Sequence, residues 1–186
     1  MTHDTVAAQL FISKLIDFMK QKIIFSKIIF MSDGAAAHYK NKKKKIASLC
    51  DFKLRHKLEV EWHFFATSHG KGPCDAIGGT LKRMAKRASL ARDYGNTIKT
   101  SRELYDWAVQ QTDKCITKLN FCYICKEQYT KMSEELEELF SQVKPIPGTQ
   151  KFHSFVPLSN NQIAVKRYSS SEDDPKIFTV FSSGKK

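Results

Sequence analysis

Two aspartates, Asp33 and Asp75, each follow a run of residues that is typical of a buried strand. The first run covers residues 27–31 and ends in a polar turn, and the second covers residues 58–66 and leads through a glycine-rich turn to Asp75. Polar groups at the carboxyl ends of neighbouring parallel strands share one crevice, so we expect the two carboxylates to meet if the strands are neighbours. Paired carboxylates supply the hard oxygen ligands that Mg²⁺ or Mn²⁺ prefers, and paired ions activate an attacking oxygen. Asp33 and Asp75 are therefore the candidate catalytic and metal-binding residues.

Each aspartate also has a purely structural interpretation. Ser32, Asp33 and Gly34 form a good turn sequence, so Asp33 alone could be a turn residue or a helix N-cap. Asp75 falls in the first turn of a predicted helix that begins at Pro73, where a carboxylate complements the helix dipole. What favours the metal site is the placement of both acids after two strands in this order.

Five predicted elements position these residues, in the order helix, strand, helix, strand, helix, within residues 5–92. Apolar spacing predicts a first helix over about residues 5–22, a lysine-rich second helix over residues 35–49, and a third helix from Pro73. Residues 50–57 are predicted to link the second helix to the second strand. This alternation predicts an α/β fold with a parallel strand pair and right-handed crossovers.

The organisation of the chain changes after residue 93. We expect a partial α/β domain over residues 1–95, a helical and β-hairpin extension over residues 96–168, and a flexible polar tail over residues 169–186. The predicted elements beyond residue 95 are a helix over residues 100–112, a strand over 117–123, a helix over 126–143, a hairpin of 151–158 with 162–168, and one further strand at 177–181.

The charge of the chain is strongly positive. Thirty-one Lys and Arg residues against 19 Asp and Glu residues give a formal net charge of +12 and a pI near 9.5. This balance favours a polyanionic partner, most simply nucleic acid, with an anionic membrane surface as the alternative. The residues expected to contact phosphates are Lys40, Lys42, Lys43, Lys44, Lys45, His69, Lys71, Lys82, Arg83 and Lys86, with Arg87 on the same predicted helix as the last three.

A solvated helix face is the ordinary meaning of such a charge run. Lys42 to Lys45 also suit a nuclear-localisation patch, so we expect a nuclear protein, or a cytoplasmic one if the run is only a solvated face. No apolar run reaches the roughly 20 residues that span a bilayer, and no signal-peptide order is present, so we expect no membrane partner.

The five cysteines are odd in number and scattered, which favours reduced thiols over a disulfide framework. Cys122 and Cys125 form a Cys-x-x-Cys pair, with Cys115 upstream and His153 downstream. A single pair of this kind is a weak signal for zinc, which needs four well-placed ligands. We expect buried thiols, and a zinc-stabilised interaction module stays an alternative.

Several short motifs carry a resemblance to known proteins. They are Ser32-Asp33-Gly34-Ala35, Tyr39-Lys40-Asn41, the run from Glu61 to Asp75 (EWHFFATSHGKGPCD), and Gly78-Gly79-Thr80 with Lys82-Arg83, together with His3-Asp4-Thr5 and Pro145-Ile146-Pro147-Gly148-Thr149. This pattern resembles a group of uncharacterised, transposon-derived animal proteins. The order of elements and acids further resembles DDE-type transposases of the ribonuclease-H-like superfamily.

The resemblance implies a partial ribonuclease-H-like fold and phosphodiester hydrolysis or strand transfer on DNA with Mg²⁺ or Mn²⁺. In that series Asp33 is the second acid and Asp75 the third. The first acid belongs on a strand before residue 5, which this sequence does not contain. We therefore expect a fragment of a longer protein, an incomplete gene product or a remnant. The partners that stay open are an oligomer and a longer chain that supplies the opening strands. The alternative function is a non-catalytic nucleic-acid-binding protein that keeps the fold and the basic surface.

Overall fold

A computed structural model describes residues 5–32, 42–65, 73–91, 97–111 and 119–182 of the chain. The chain divides into two compact units, one formed by Met1–Gly70 with Lys126–Lys186 and the other by Lys71–Cys125. The predicted division at residues 95 and 168 stays a prediction. In its described part the protein has five α-helices and a mixed five-stranded sheet, which confirms the α/β class.

Strand β1 (Lys27–Ser32) and strand β2 (Glu59–Phe64) form the predicted parallel pair. Their register places Phe30 opposite Trp62 and Ser32 opposite Phe64. Helix α1 (Thr5–Lys20) precedes β1, and helix α2 (Lys42–His56) lies between the two strands in sequence. The helix–strand–helix–strand order of this unit is thus the one that the apolar spacing predicts.

Three antiparallel strands extend the sheet from β2 in the order β1-β2-β3-β4-β5. The predicted hairpin is present as β3 (Ser154–Ser159) and β4 (Gln162–Lys166), after a short 3₁₀ helix at Thr149–Lys151. Strand β5 (Lys176–Thr179) pairs with β4, so the segment expected to be a polar tail contributes the further strand to the sheet.

One face of the sheet is covered by helices. Helix α2 packs against β2, β3 and β4, and α1 and α5 (Lys126–Ser141) pack against α2 and against each other. The fully buried side chains of this core include Ile16, Ile46, Leu136, Phe155 and Ile163. Burial of aliphatic and aromatic side chains of this size stabilises a fold by roughly 1.5–3 kcal/mol each, before the entropy cost of ordering.

The side chains on the other face of β1 point away from that core. Because side chains alternate along a strand, Ile29 and Met31 share a face with Glu61 and His63 of β2. Ile29 is 53% exposed and Met31 is 52% exposed. Within the described ranges no strand pairs with the outer edge of β1.

The second helix ends later than the sequence pattern predicts. Residues 50–56 continue α2 instead of forming a linker, because Cys50, Phe52 and His56 are buried and prolong its apolar face. Lys57 then adopts a left-handed backbone with φ of 57°, and its N–H donates to the carbonyl of Lys53 at 3.0 Å, which ends the helix. The predicted start at residue 35 lies outside the described residues.

Other predicted bounds differ at the ends of elements. Helix α1 ends at Lys20 and α5 at Ser141, two residues short of each prediction. The strand expected over residues 117–123 is absent from its described part, since residues 119–123 form neither helix nor strand.

The second unit contains helices α3 (Pro73–Leu90) and α4 (Ser101–Gln111). Helix α4 begins with a capping box, in which the Thr100 hydroxyl accepts the N–H of Glu103 at 3.2 Å. The Glu103 carboxylate accepts the N–H groups of Lys99 at 2.7 Å and Thr100 at 3.1 Å, and these backbone donors lower its pKa. Trp107 and Ala108 form the buried side of α4.

Candidate nucleic-acid interface

The two candidate metal ligands have different positions relative to the described structure. Asp33 follows Ser32, the last residue of β1, and lies outside the described residues. Asp75 lies in the first turn of α3 and is exposed, which also suits an acid that complements the helix dipole. Among the described residues no group of three or more His, Cys, Asp or Glu side chains could hold a metal ion. The pairing of Asp33 with Asp75 therefore stays a prediction.

The residue immediately before Asp33 is held firmly. The indole Nε1–H of Trp62 donates to the Ser32 hydroxyl at 2.9 Å, and the N–H of Phe65 donates to the Ser32 carbonyl at 2.9 Å. Trp62 is buried, and its ring lies 5.0 Å from that of Phe30. The carboxyl end of β1 is thus fixed to β2 by both backbone and side-chain hydrogen bonds.

A three-residue charge network lies on the exposed face of the same two strands. Glu61 accepts hydrogen bonds from Lys27 Nζ at 2.5 Å and lies 3.0 Å from His63 Nε2. The bond from Lys27, helped by His63, lowers the pKa of Glu61, while partial burial acts in the other direction. His63 Nδ1 is buried and has no hydrogen-bond partner in the described part of the chain.

This network is not among the predicted site residues. The only sequence signal for it is the alternation of β2, which places Glu59, Glu61 and His63 on one face of the strand. Lys27 contacts Glu61 only because of the register between β1 and β2, and the sequence alone does not predict that register.

Two of the predicted phosphate-binding lysines lie over aromatic rings of the first unit. Lys44 Nζ is 5.1 Å from the centre of the Phe140 ring. Lys45 Nζ is 5.3 Å from the Trp62 ring and 5.7 Å from the Phe64 ring. Such cation–π contacts hold both ammonium groups close to aromatic rings. The binding of phosphate by these two lysines stays a prediction.

Several predicted phosphate-binding residues fall outside what the structure describes. Lys40, His69 and Lys71 lie in undescribed segments. Lys42 and Lys43 belong to the first turn of α2, and their side chains are not described. Their role in phosphate binding stays a prediction.

Helix α3 carries an exposed face of four cations, which we term the α3 basic face: Lys82, Arg83, Lys86 and Arg87. Residues four apart on a helix are neighbours, so the face consists of two adjacent like-charged pairs. Arg83 Nη2 donates to the Thr80 hydroxyl at 3.2 Å. None of the four cations forms an ion pair with a described carboxylate. Like charges held together without acids destabilise the helix and attract a polyanion.

The other side of α3 is apolar and partly buried. Leu81, Met84 and Ala88 are each of intermediate exposure, whereas Ile77 on the same side of the helix is 47% exposed. The helix therefore presents opposite faces of different character, and the basic face is the one directed to solvent.

The thiols give no support for a zinc site within the described residues. Cys122 is exposed and Cys125 is half-buried, so neither has the expected fully buried thiol, and Cys115 lies outside the described part. Cys50 is buried in α2, and burial, with a smaller effect of Asp51, raises the pKa of its thiol to about 12. A thiol with so high a pKa is a poor nucleophile and a poor metal ligand at neutral pH.

The described helices do not include one with the length and apolar character needed to cross a membrane.

Fold and surface together define a mixed α/β protein with a cationic helix face. The chain belongs to the family described as a domain of unknown function (DUF8701), whose model matches residues 1–169. The match covers the second compact unit and most of the first, and it ends between β4 and β5. No curated protein and no solved structure matches the chain.

Proposed function

We propose that this protein binds nucleic acid, DNA in the first place, through its phosphate backbone, with the α3 basic face as the principal described contact surface. The observation that carries the proposal is the exposure of four cations on adjacent turns without carboxylate partners in the described part of the chain. The net charge of +12 supports the same class of partner.

Counterion release gives this binding a measurable signature. Each phosphate contact to duplex DNA changes the slope of log K against log salt by about −0.9. Four contacts from the α3 basic face would therefore contribute about −3.6 to that slope. The expected binding is strong at low salt, depends little on base sequence, and weakens steeply as salt is added.

The test is a salt series of fluorescence-anisotropy titrations with a labelled DNA duplex. We compare the wild type with Lys82→Gln/Lys86→Gln and with the matched control Lys131→Gln/Lys144→Gln, whose lysines are exposed on the other compact unit. The α3 variant should reduce the slope by about 1.8, and the control should reduce it less. Equal losses in both variants would mean that diffuse charge, not the α3 basic face, binds the DNA.

We further propose that the scaffold is of ribonuclease-H-like, transposon-derived DDE type and acts on DNA phosphodiesters with Mg²⁺ or Mn²⁺ in the nucleus. Support comes from the parallel pair β1 and β2, from the position of Asp33 directly after β1, and from Asp75 in the first turn of α3. The two carboxylates would hold the metal, which would activate the attacking oxygen, and the lysines would hold the phosphates.

The catalytic proposal is tested separately from the binding proposal. Asp33→Asn, Asp75→Asn and the control Glu137→Gln are assayed with labelled DNA for cleavage and for binding, each with Mg²⁺ and with Mn²⁺. Metal-dependent cleavage that both asparagine variants abolish, while they still bind DNA, supports the enzyme. DNA binding without cleavage by the wild type supports the non-catalytic alternative.

A further inference from the structure

An open groove lies at one end of the antiparallel strands of the first unit, lined by residues of β4, β5 and the segments beside them. We call it the hairpin groove. Its volume is about 530 Å³, within the roughly 300–1,000 Å³ typical of small-molecule sites. It uses none of the residues of the α3 basic face and neither Asp33 nor Asp75.

The groove is lined by four cationic side chains: Lys151, Lys166, Arg167 and Lys176. Asp173 and Asp174 also line it, yet none of the four cations forms an ion pair with a described carboxylate. Lys166 Nζ instead donates to the Ser171 carbonyl at 3.1 Å, which ties down the segment after β4. Arg167 and Lys176 are exposed. The groove thus offers several cations to an anion from outside the chain.

The rings of Tyr168 and His153 lie beside these cations and form an aromatic surface. Tyr168 is 44% exposed, and its ring stacks on that of His153 with centroids 5.4 Å apart and an angle of 27° between the planes. The guanidinium of Arg167 lies 5.6 Å from the centre of the Tyr168 ring. His153 and Arg167 both lie close to the Tyr168 ring, and its 44% exposure leaves part of the ring open to a further planar group.

The support beneath the tyrosine is anchored in the sheet. The N–H of His153 donates to the Lys166 carbonyl at 3.1 Å, and the His153 carbonyl accepts the N–H of Phe64 at 2.7 Å. A turn fixes Tyr168 itself, because its N–H donates to the Ser171 hydroxyl at 3.0 Å. His153 Nδ1 is buried and has no hydrogen-bond partner among the described residues, so one polar group at the groove is left unsatisfied.

We infer that the hairpin groove binds a single nucleotide unit, with the base stacked on Tyr168 and the phosphate held by Arg167 and Lys176. A bare phosphate would make no use of the exposed ring, and an apolar ligand would make no use of the cations. Base stacking on an aromatic side chain with flanking cations is how proteins hold unpaired nucleotides. The inference takes from the proposed function only the class of ligand, and it rests on a separate surface.

The experiment is isothermal titration with four probes: thymidine monophosphate, thymidine, inorganic phosphate and an eight-nucleotide single strand of thymidylate. The monophosphate should bind more tightly than thymidine or phosphate, since it alone of these three engages both the ring and the cations. The single strand shows whether the natural source is a free nucleotide or an unpaired base in a strand. Measured in Lys82→Gln/Lys86→Gln, the strand should bind more tightly than the monophosphate and lose affinity in Tyr168→Ala if an unpaired base in a strand is the ligand. It should bind as tightly as the monophosphate if one free nucleotide fills the site.

Three variants assign the binding to the groove. Tyr168→Ala should weaken the binding of the monophosphate by roughly 5- to 160-fold, the range that one stacked base contributes, while Tyr168→Phe should keep most of the affinity. Arg167→Gln/Lys176→Gln should weaken the monophosphate and leave thymidine unchanged. Lys131→Gln/Lys144→Gln, the control with the same loss of charge, should leave both unchanged. Circular dichroism confirms that each variant is folded.

Particular results would overturn the inference. Phosphate binding as tight as that of the monophosphate, or an unchanged affinity in Tyr168→Ala, excludes a stacked base. Equal losses in the control exclude a specific site. The α3 variant Lys82→Gln/Lys86→Gln should bind the monophosphate like the wild type. If the wild type binds the monophosphate but the α3 variant binds duplex DNA like the wild type, the proposed α3 surface is refuted. The inference about the hairpin groove is then unaffected.

Discussion

The indole N–H of Trp62 donates a 2.9 Å hydrogen bond to the hydroxyl of Ser32, across the parallel pair of β1 and β2. Trp62 lies opposite Phe30 in the register, so its side chain reaches two residues further towards the carboxyl end of β1. The side chains of Phe30 and Trp62 are both on the face covered by α2, where Phe30 contacts Phe52 and Trp62 contacts Lys45. This bond fixes Ser32, the residue that immediately precedes the candidate metal ligand Asp33 in the chain.

Removal of the Ser32 hydroxyl should destabilise the fold. Ser32→Ala leaves the buried indole N–H without its acceptor, which costs about 1–3 kcal/mol. Ser32→Thr keeps the hydroxyl and should cost less. Urea unfolding followed by circular dichroism measures the difference, with Ser170→Ala as an exposed control. A cost in Ser32→Ala no larger than in the control would mean that the hydrogen bond does not hold the strand end.

Stability should fall between neutral and mildly acidic pH because of His56. This side chain is buried near the end of α2, its ring 4.6 Å from that of Phe52, and its Nε2 has no partner in the described part of the chain. Burial, with Arg55 and Lys20, lowers the pKa of His56 from its ordinary value of 6.5. The unfolded chain therefore takes up a proton as pH falls through about 6.5 while the folded chain does not, and acid favours unfolding.

His56→Phe should remove this dependence. The free energy of unfolding of the wild type should fall with a slope of at most about 1.4 kcal/mol per pH unit below pH 6.5, until the lowered pKa of the folded state is reached. The variant should lose that part of the slope. Urea unfolding at several pH values from 5 to 8 measures both proteins, and parallel curves would show that His56 is not the titrating group.

The network of Lys27, Glu61 and His63 should stabilise the fold only above acidic pH. Because the hydrogen bond from Lys27 lowers the pKa of Glu61 below its ordinary 4.5, the contribution is present above that value. It is lost as pH falls through the pKa of the folded state. Glu61→Gln should therefore destabilise the protein at pH 7, by no more than about 1 kcal/mol for so accessible an ion pair.

The matched control is Glu59→Gln, on the same face of β2. Its carboxylate pairs with Lys53 at 3.3 Å in an exposed position, so its loss should matter less. The gap between wild type and Glu61→Gln should close as pH is lowered from 7 to 3. A gap that stays constant would point to packing and not to charge.

The elements that sequence reasoning found are those whose apolar spacing is local. The strands of the parallel pair, the hairpin and the basic face of α3 each consist of residues a few positions apart, so their local patterns can be read in the sequence. The end of α2 was missed because Lys53, Arg55 and Lys57 give residues 50–57 a polar composition that hides the buried Phe52 and His56. The pairing of β5 with β4 is easy to miss because polar residues separate Ile177 and Phe178 from the hairpin.

The candidate sites also divide into those that a local sequence pattern predicts and those that depend on contacts between distant residues. Exposure of Lys82 and Lys86 follows from helical spacing, and the predicted α3 face could be located without a structure. The contact of Lys27 with Glu61 and the stack of His153 on Tyr168 depend on register between separate strands or segments, and no local pattern encodes it. Lys44 and Lys45 belong to a lysine run that predicts a solvated face, yet both ammonium groups lie over aromatic rings supplied by distant elements.

The cysteines of the two units should differ sharply in reactivity. Cys50 is buried, its Sγ lies 3.9 Å from the carbonyl of Gln162, and burial raises the pKa of its thiol to about 12. Almost none of it is thiolate at pH 8, whereas Cys122 is exposed to reagent. Iodoacetamide at pH 8, followed by peptide mass spectrometry, should modify Cys122 at least tenfold faster than Cys50 in the native protein. In urea the two rates should converge, since unfolding removes the burial that is the larger cause of the raised pKa of Cys50. Equal rates in the native protein would mean that α2 opens readily around Cys50, and the core assigned to the first unit would then be wrong.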